Sequence, residues 1–267
     1  MDDLTGKVAV VTGGGDGIGR GIAHALADAG ARVAVVDIDR AAADRVVAEL
    51  EGSQAFEADV SDAAAMDALA EAVEDSLGPV SILCNNAGVM LEGSFIESQA
   101  ADWQWIFNVN LHGVINGVQA FIPRMRARGG QAHIVNTGSM AGLAPRLASS
   151  LGIYSASKAA VVSFSEMLRA ELADEGIGVS VLCPSTVSTR IWEANRNRPA
   201  ELGAGEAVPR PERVDQAIDG LDVGPLVVRG ILEDRAYIFT SDDARPRVET
   251  RSAAILADVV RHEADAG

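Results

Sequence analysis

Short apolar runs alternate with amphipathic stretches along most of the chain. Val8-Ala9-Val10-Val11-Thr12 is the first run and has the length of a buried strand. The glycine-rich turn Gly13-Gly14-Gly15-Asp16-Gly17-Ile18-Gly19 follows it. An amphipathic segment over about residues 20–29 then stops at Gly30, a helix C-cap signal. Arg32-Val33-Ala34-Val35-Val36-Asp37 is the second strand and ends on an acid. The alternation goes on with a helix near 41–51, a strand near 54–58 that runs into Asp59-Val60, and a helix capped by Ser61 or Asp62 that reaches Leu77. Gly78-Pro79 breaks that helix, and 80–84 is a fourth strand, followed by Asn85-Asn86-Ala87-Gly88. A long helical region is expected over 101–128, with Asn110 inside it. A fifth strand at 132–136 leads to Ser139. A helix carrying Tyr154 and Lys158 runs to about Glu175, and a sixth strand over 176–182 ends at Cys183-Pro184. Residues 188–212 are rich in Asn, Arg, Pro and Gly and read as a mobile lid. A helix over 211–229, a strand over 236–240 and a terminal helix complete the pattern. Strands that alternate with helices imply right-handed crossovers and a parallel sheet covered on both faces. With no internal repeat, low-complexity linker or boundary in view, residues 1–267 read as one α/β, doubly wound domain with a seven-stranded parallel sheet.

Composition narrows the function. Hydrophobic residues make up 48% and charged residues 22%, enough for a sizeable core, while aromatics are only 4%. The 22 basic residues against 38 acids leave a net charge of −16, which a phosphate backbone would repel, so no nucleic-acid partner is expected. The start lacks the basic-then-apolar order of a signal peptide, and no 18-residue apolar stretch appears. With only Cys84 and Cys183, each at the end of an apolar run, there is no disulfide framework. A cytoplasmic protein without membrane or metal sites is the expectation.

Two features carry chemistry. The first is the order strand, glycine turn, helix, strand, acid. Such a turn lets backbone approach a pyrophosphate at a helix N-terminus. Asp37 lies 18 residues after Gly19 and 24 after Gly13, about where a dinucleotide site places the acid that holds a ribose hydroxyl. The second is Tyr154-Ser155-Ala156-Ser157-Lys158, where a spacing of four puts tyrosine and lysine on one helix face. A fixed ammonium favours the phenolate. Moving a tyrosine from about 10 to about 7 takes roughly 4 kcal/mol of differential stabilisation. Each feature alone also suits a plain turn or a surface helix; together they point to dinucleotide-dependent proton chemistry.

In sum these residues resemble the short-chain dehydrogenase/reductase family over nearly the whole chain. The likeness rests on Thr12-Gly13 with Gly17-Ile18-Gly19, Asp59-Val60, Asn85-Asn86-Ala87-Gly88, Asn110, Ser139, Tyr154 with Lys158, and Pro184 with Val187 and Thr189. It implies Tyr154 as general acid/base, with Lys158 lowering its pKa and holding the nicotinamide ribose. Ser139 would bond the substrate oxygen, and Asn110 would hold a relay water through a local helix irregularity. It implies NAD contacts at Gly13, Asp16, Gly17, Ile18, Gly19, Asp37, Ile38, Asp59, Val60, Asn86, Ala87, Gly88, Tyr154, Lys158, Pro184, Val187 and Thr189. Residues 191–199 and 237–240 resemble bacterial members that oxidise bulky apolar secondary alcohols. Ser139, Met140, Leu147, Tyr154, Ile191 and Trp192 are then the expected substrate contacts. Met90, Leu91, Leu143 and Leu151 are also placed toward the mouth, with Arg146 as the one nearby cation. The family's strand order puts the fourth and sixth strands two positions apart, so Cys84 and Cys183 would stand about 10 Å apart, too far for a bond. It also implies a homotetramer paired through the long helices near 101–128 and 153–175. Three positions depart from the family pattern: Ser185 where a glycine is usual after the proline, Gly138 where a second serine is common, and a slightly longer stretch between Ser139 and Tyr154. Two rival functions share this frame, an NADPH-dependent carbonyl reductase and a dinucleotide-binding regulator without catalysis. The acids near the adenosine ribose weigh against the first, and the complete set Asn110, Ser139, Tyr154 and Lys158 against the second.

Overall fold

The computed structural model describes residues 1–147, 149–203, 212, 214 and 217–266, with side chains through residue 262. In chain order the elements are β1 (Val8–Thr12), α1 (Gly17–Asp28), β2 (Arg32–Asp37), α2 (Arg40–Val47), β3 (Gln54–Glu57), α3 (Ala63–Leu77), β4 (Val80–Asn85), α4 (Ala100–Phe107), a π-helical turn (Asn108–His112), α5 (Gly113–Arg128), β5 (Ala132–Thr137), α6 (Met140–Leu143), α7 (Gly152–Glu171), β6 (Ile177–Cys183), β7 (Val187–Ser188), β8 (Ile218–Asp219), α8 (Gly220–Leu232), β9 (Tyr237–Phe239) and α9 (Ala244–Ala266). Seven strands form one sheet in the order β3-β2-β1-β4-β5-β6-β9, and every pairing in it is parallel.

Alternation along the strands explains the two covered faces. Val8, Val10, Ala34, Val36, Leu83, Ile134 and Val179 point into one core with Met66, Leu69 and Val73 of α3, Phe121 and Met125 of α5, and Leu168 of α7. Their neighbours Ala9, Val11, Val33, Val35, Ile82, Cys84, Val135 and Leu182 point into the other, with Ile22 and Leu26 of α1 and Val223, Val227 and Ile231 of α8. A strand buried on both faces has no polar side to show, which is why these runs read as continuous hydrophobic stretches. Cys84 and Cys183 are both buried and free.

The structure departs from the sequence expectations in four places. The 101–128 region is two helices joined by the π-helical turn at Asn108–His112. The helix expected over 211–229 is helical from Gly220, where the Asp219 carboxylate accepts from Leu221 N and caps it. A two-stranded parallel pair, β7 with β8, was not anticipated; two residues per strand leave no periodicity to read. The expected lid at 188–212 is described to residue 203 and at 212. It contains two 3₁₀ segments, Ile191–Asn197 and Ala200–Leu202; residues 204–211 lie outside the described residues. The described part packs down on the body, with Trp192 and Ala194 buried. Arg198 bonds Asp102 at 2.8 Å and lies 5.2 Å from the Trp105 ring centroid. Among the described residues, no helix is long and apolar enough to cross a membrane.

Candidate active site

The carboxyl ends of the strands open onto one cavity of about 460 Å³. That is where ligands bind in open α/β sheets. At one end lies the turn between β1 and α1. Gly13 and Gly17 have φ of +61° and +50°, a conformation that costs other residues energy. A Cβ on Gly19 would stand 2.0 Å from the Gly13 carbonyl oxygen, so the turn closes only with glycine there. Asp16 accepts from Gly17 N at 2.7 Å and caps α1. The Asp37 carboxylate is fixed beside the turn by Gly15 N and Asp39 N, each at 3.0 Å. Asp59 is held by Ser61 through its N at 2.9 Å and Oγ at 2.7 Å. The bare glycine backbone at the N-terminus of a 12-residue helix suits a pyrophosphate, and the carboxylate beside it suits a ribose diol. These residues therefore fit a dinucleotide.

Thr12 ties this end to the middle of the site. Its Oγ1 accepts from Asn86 N at 3.0 Å and Ala87 N at 3.1 Å, which holds the Asn86-Ala87-Gly88 turn against β1. The Asn86 amide in turn donates to the Thr12 and Gly13 carbonyls and accepts from Thr137 Oγ1. Asn86 thus presents backbone to the cavity while its side chain braces three strands.

The chemistry-bearing residues meet at the other end. Ser139 caps α6, its Oγ accepting from Ala141 N at 3.0 Å. Tyr154 sits in the first turn of α7 and Lys158 one turn on; both line the cavity and both are buried. Lys158 Nζ donates to the Thr137 carbonyl at 2.7 Å and lies 6.0 Å from the Tyr154 ring centroid. Burial pulls the Lys158 pKa down to about 8. Burial also raises the Tyr154 pKa, against the opposing hydrogen bond of Ser139. The lowered phenol pKa expected from the Tyr/Lys spacing is therefore corrected: desolvation outweighs the Ser139 hydrogen bond, and the phenol stands above its ordinary value.

Asn110 does not line the cavity. It is fully buried in the π-helical turn, its Oδ1 accepting from Val89 N at 2.8 Å and its Nδ2 donating to Val89 O at 2.9 Å and Ser157 Oγ at 3.0 Å. Its side chain is thus fully engaged with protein and pins the turn to the strand-end loop. Of the expected cofactor contacts, all but Gly19 line the cavity; Gly19 lies beneath the turn. Of the expected substrate contacts, Met140, Ile191 and Trp192 line it, and Trp192 packs with Tyr154, Met90 and Val214. Leu147 is corrected: it is 95% exposed and away from the lining, because the segment before α7 turns it out to solvent. Leu91 is taken into a core with Trp105 and Ile106, and Leu143 packs against the cluster of Met140, Val162 and Val181. Sequence reading missed Arg247. It lines the cavity from α9, about a hundred residues beyond Ser139, and no spacing rule could bring it there.

Comparison with known proteins agrees with this geometry. Residues 7–200 match the family model described as short chain dehydrogenase. A C alpha-dehydrogenase from a Sphingobium species is 35% identical over 99% of this chain and 90% of its own length. A 1-deoxy-11-beta-hydroxypentalenate dehydrogenase from Streptomyces exfoliatus is 35% identical over 97% of this chain and 90% of its own. Among solved structures, a short chain dehydrogenase/reductase from Burkholderia phymatum in complex with NAD superposes with a TM-score of 0.89 at 39% identity, covering 97% of each chain. With its glycine turn, acid-tipped second strand and Ser139, Tyr154 and Lys158 on the wall of one cavity, this chain belongs to the short-chain dehydrogenase/reductase family of nicotinamide-dinucleotide oxidoreductases.

Proposed function

We propose that this protein is an NAD-dependent dehydrogenase that interconverts a bulky, mainly apolar secondary alcohol and its ketone. The observation that carries the reading is the burial of Ser139, Tyr154 and Lys158 along the same cavity that Asp37 borders at its far end. Gly13, Asp37, Asp59 and the 86–88 turn would hold NAD, which would supply the hydride acceptor. The chain's own residues handle the proton. Tyr154 as phenolate takes it from the substrate hydroxyl as the carbonyl forms, and returns it in the reverse direction. Ser139 holds the same oxygen by a hydrogen bond and fixes its distance from Tyr154. Lys158, anchored on the Thr137 carbonyl, keeps a positive charge beside the ring that favours the phenolate. Asn110 acts indirectly, by fixing the π-helical turn behind them.

The preference for NAD rests on Asp37. A 2′-phosphate about 4 Å from that carboxylate would cost about 4 kcal/mol per charge pair at an effective dielectric near 20. Arg40, three residues after Asp37 in the chain, is bonded to Asp44 at 2.9 Å. The substrate class rests on Met90, Met140, Leu151, Ile191 and Trp192, which line the reacting end. Such a wall holds a hydrophobic body at roughly 25 cal/mol per Å² and leaves one oxygen to Ser139 and Tyr154. Two measurements test the reading. The value of kcat/KM should be far higher with NAD than with NADP; equal values sink the cofactor assignment. Across secondary alcohols of increasing apolar bulk, KM should fall with size; a best substrate among small polyols would sink the substrate class.

A further inference from the structure

The reacting end of the cavity also holds two guanidinium groups that this chemistry does not use. Arg146 stands in the segment between α6 and α7, and Arg247 in the first turn of α9; both line the cavity. Arg247 Nη2 donates to the carbonyls of Met140 at 3.1 Å and Ala144 at 2.6 Å, which fixes it one residue from Ser139. Its Nη1 lies 3.7 Å from Asp243 Oδ2, and Arg146 Nη2 donates to the same oxygen at 3.0 Å. Ser185, the departure from the family's glycine, reaches that oxygen with its hydroxyl at 3.4 Å. One carboxylate therefore faces two guanidiniums, a local excess of one positive charge in a chain of net −16. Arg247 Nε is buried and has no hydrogen-bond partner among the described residues. Burial, and then the Arg146 charge, pull the Arg247 pKa below its usual value, and a second anion here would favour the charged form of both guanidiniums. The other acids lining the cavity stand elsewhere: Asp16, Asp37 and Asp59 border the glycine-turn end, and Glu201 is exposed on the 3₁₀ segment Ala200–Leu202 after β7.

We propose that Arg146 and Arg247 form a carboxylate-accepting subsite. The preferred substrate is then an apolar secondary alcohol or ketone that carries a carboxylate remote from the reacting carbon. This deepens the function proposed above and rests on it. A carboxylate bonds guanidinium through charge-assisted hydrogen bonds, and Asp243 already occupies that geometry from within the chain. Arg247 is the fixed half of the pair. Arg146, with 58% of its side chain exposed, is the half that an incoming acid can share with Asp243 or take from it. A neutral substrate of the same shape gains nothing at this end. The burial term that the apolar wall supplies is common to both.

The test compares aryl secondary alcohols bearing a terminal carboxylate at graded distances with the carboxamide of each. For the best-fitting length, kcat/KM for the acid should exceed that of the amide by about tenfold or more, mostly through KM. In Arg146→Gln the acid-to-amide ratio should fall toward one, and Arg146→Lys should restore part of it. A second readout needs no turnover: calorimetric binding of biphenyl-4-carboxylate and biphenyl-4-carboxamide to the protein with NAD. Tighter binding of the acid, lost in Arg146→Gln, supports the subsite; if no alcohol is oxidised in that case, only the reaction assignment falls. Turnover of neutral alcohols with acid and amide bound and oxidised alike overturns the subsite and leaves the reaction standing. A preference for the acid that survives Arg146→Gln unchanged also overturns it.

Discussion

Tyr154 and Lys158 both pay a desolvation penalty before any ligand arrives. Tyr154 is buried and its pKa raised by burial, while burial brings Lys158 down to about 8. In the proposed mechanism a bound nicotinamide and its ribose would complete these surroundings and bring the phenol toward the range a general base near neutral pH needs. Tyr154→Phe keeps the ring that packs on Met90 and Trp192 and removes only the titrating oxygen. It should lower kcat by about 10²–10⁴-fold and leave NAD binding, followed by fluorescence, nearly unchanged. Near-normal turnover would assign the proton to another group. Asp37 offers the complementary test at the far end. Its two oxygens accept from Gly15 N and Asp39 N as well as bordering the cavity, so Asp37→Asn removes the charge and keeps one of the two acceptors. The NAD-to-NADP ratio of kcat/KM should drop by about tenfold or more, since about 1.4 kcal/mol of relieved repulsion already gives that factor. An unchanged ratio would move cofactor discrimination elsewhere.

Elements differ in how much of them the sequence makes visible. The strands were legible because double-sided burial writes an unbroken apolar run, and the acids and glycines at their ends mark where each run stops. The tyrosine, lysine and serine of the site were legible because they share one helix and its preceding strand end. The π-helical turn was not legible. Its cause is tertiary: Asn110 trades side-chain bonds with both backbone groups of Val89, 21 residues away, and with Ser157. Leu147 failed for a related reason, since a two-state hydrophobic reading cannot tell a mouth from an outward turn. Arg247 and the short β7–β8 pair depend on chain segments far from the site in sequence. The turn makes its own prediction. Asn110→Leu leaves Val89 N and O buried without those partners, at about 1–3 kcal/mol for each unsatisfied group. Urea unfolding should show a loss of about 2–6 kcal/mol and a fall in kcat larger than the change in KM for NAD. A variant as stable as the parent would mean that the helix holds its π-turn without this amide.

At the scale of the whole molecule, the outer surface carries two signs of unfinished packing. Met167 on α7 is 69% exposed, and Ile255, Leu256, Val259 and Val260 of α9 are 46% to 62% exposed. With the family resemblance, the first surface motivates the homotetramer proposed from sequence; light scattering should give about four times 27.7 kDa, and a monomer mass would refute it. The interior makes a separate prediction about acid. His133 on β5 has only 1% of its side chain exposed, and its Nε2 lies 2.8 Å from Ser180 Oγ. That hydroxyl donates to the Arg235 carbonyl, so it is the imidazole Nε2–H that donates to Ser180. Asp234, whose Oδ1 lies 3.9 Å from His133 Nδ1, is itself engaged by Arg169. Burial brings the His133 pKa down to about 4, with Asp234 opposing and Arg169 assisting. The unfolded chain takes up the proton near 6.5 and the folded one only near 4, so stability is lost as pH falls through that window. At about 1.36 kcal/mol per unit, the loss reaches about 2 kcal/mol at pH 5 and about 3 kcal/mol near pH 4. The Asp234 carboxyl, held below its usual range by Arg169, adds its own loss only at still lower pH. His133→Asn keeps a donor for Ser180 and cannot titrate. Its denaturation midpoint should start below the parent's at pH 7.5, because the smaller side chain leaves a gap in the sheet. Between pH 7.5 and 5 it should then fall by less, the difference being the histidine's about 2 kcal/mol. Parallel pH profiles for parent and variant would place the acid sensitivity of the fold in its carboxylates instead.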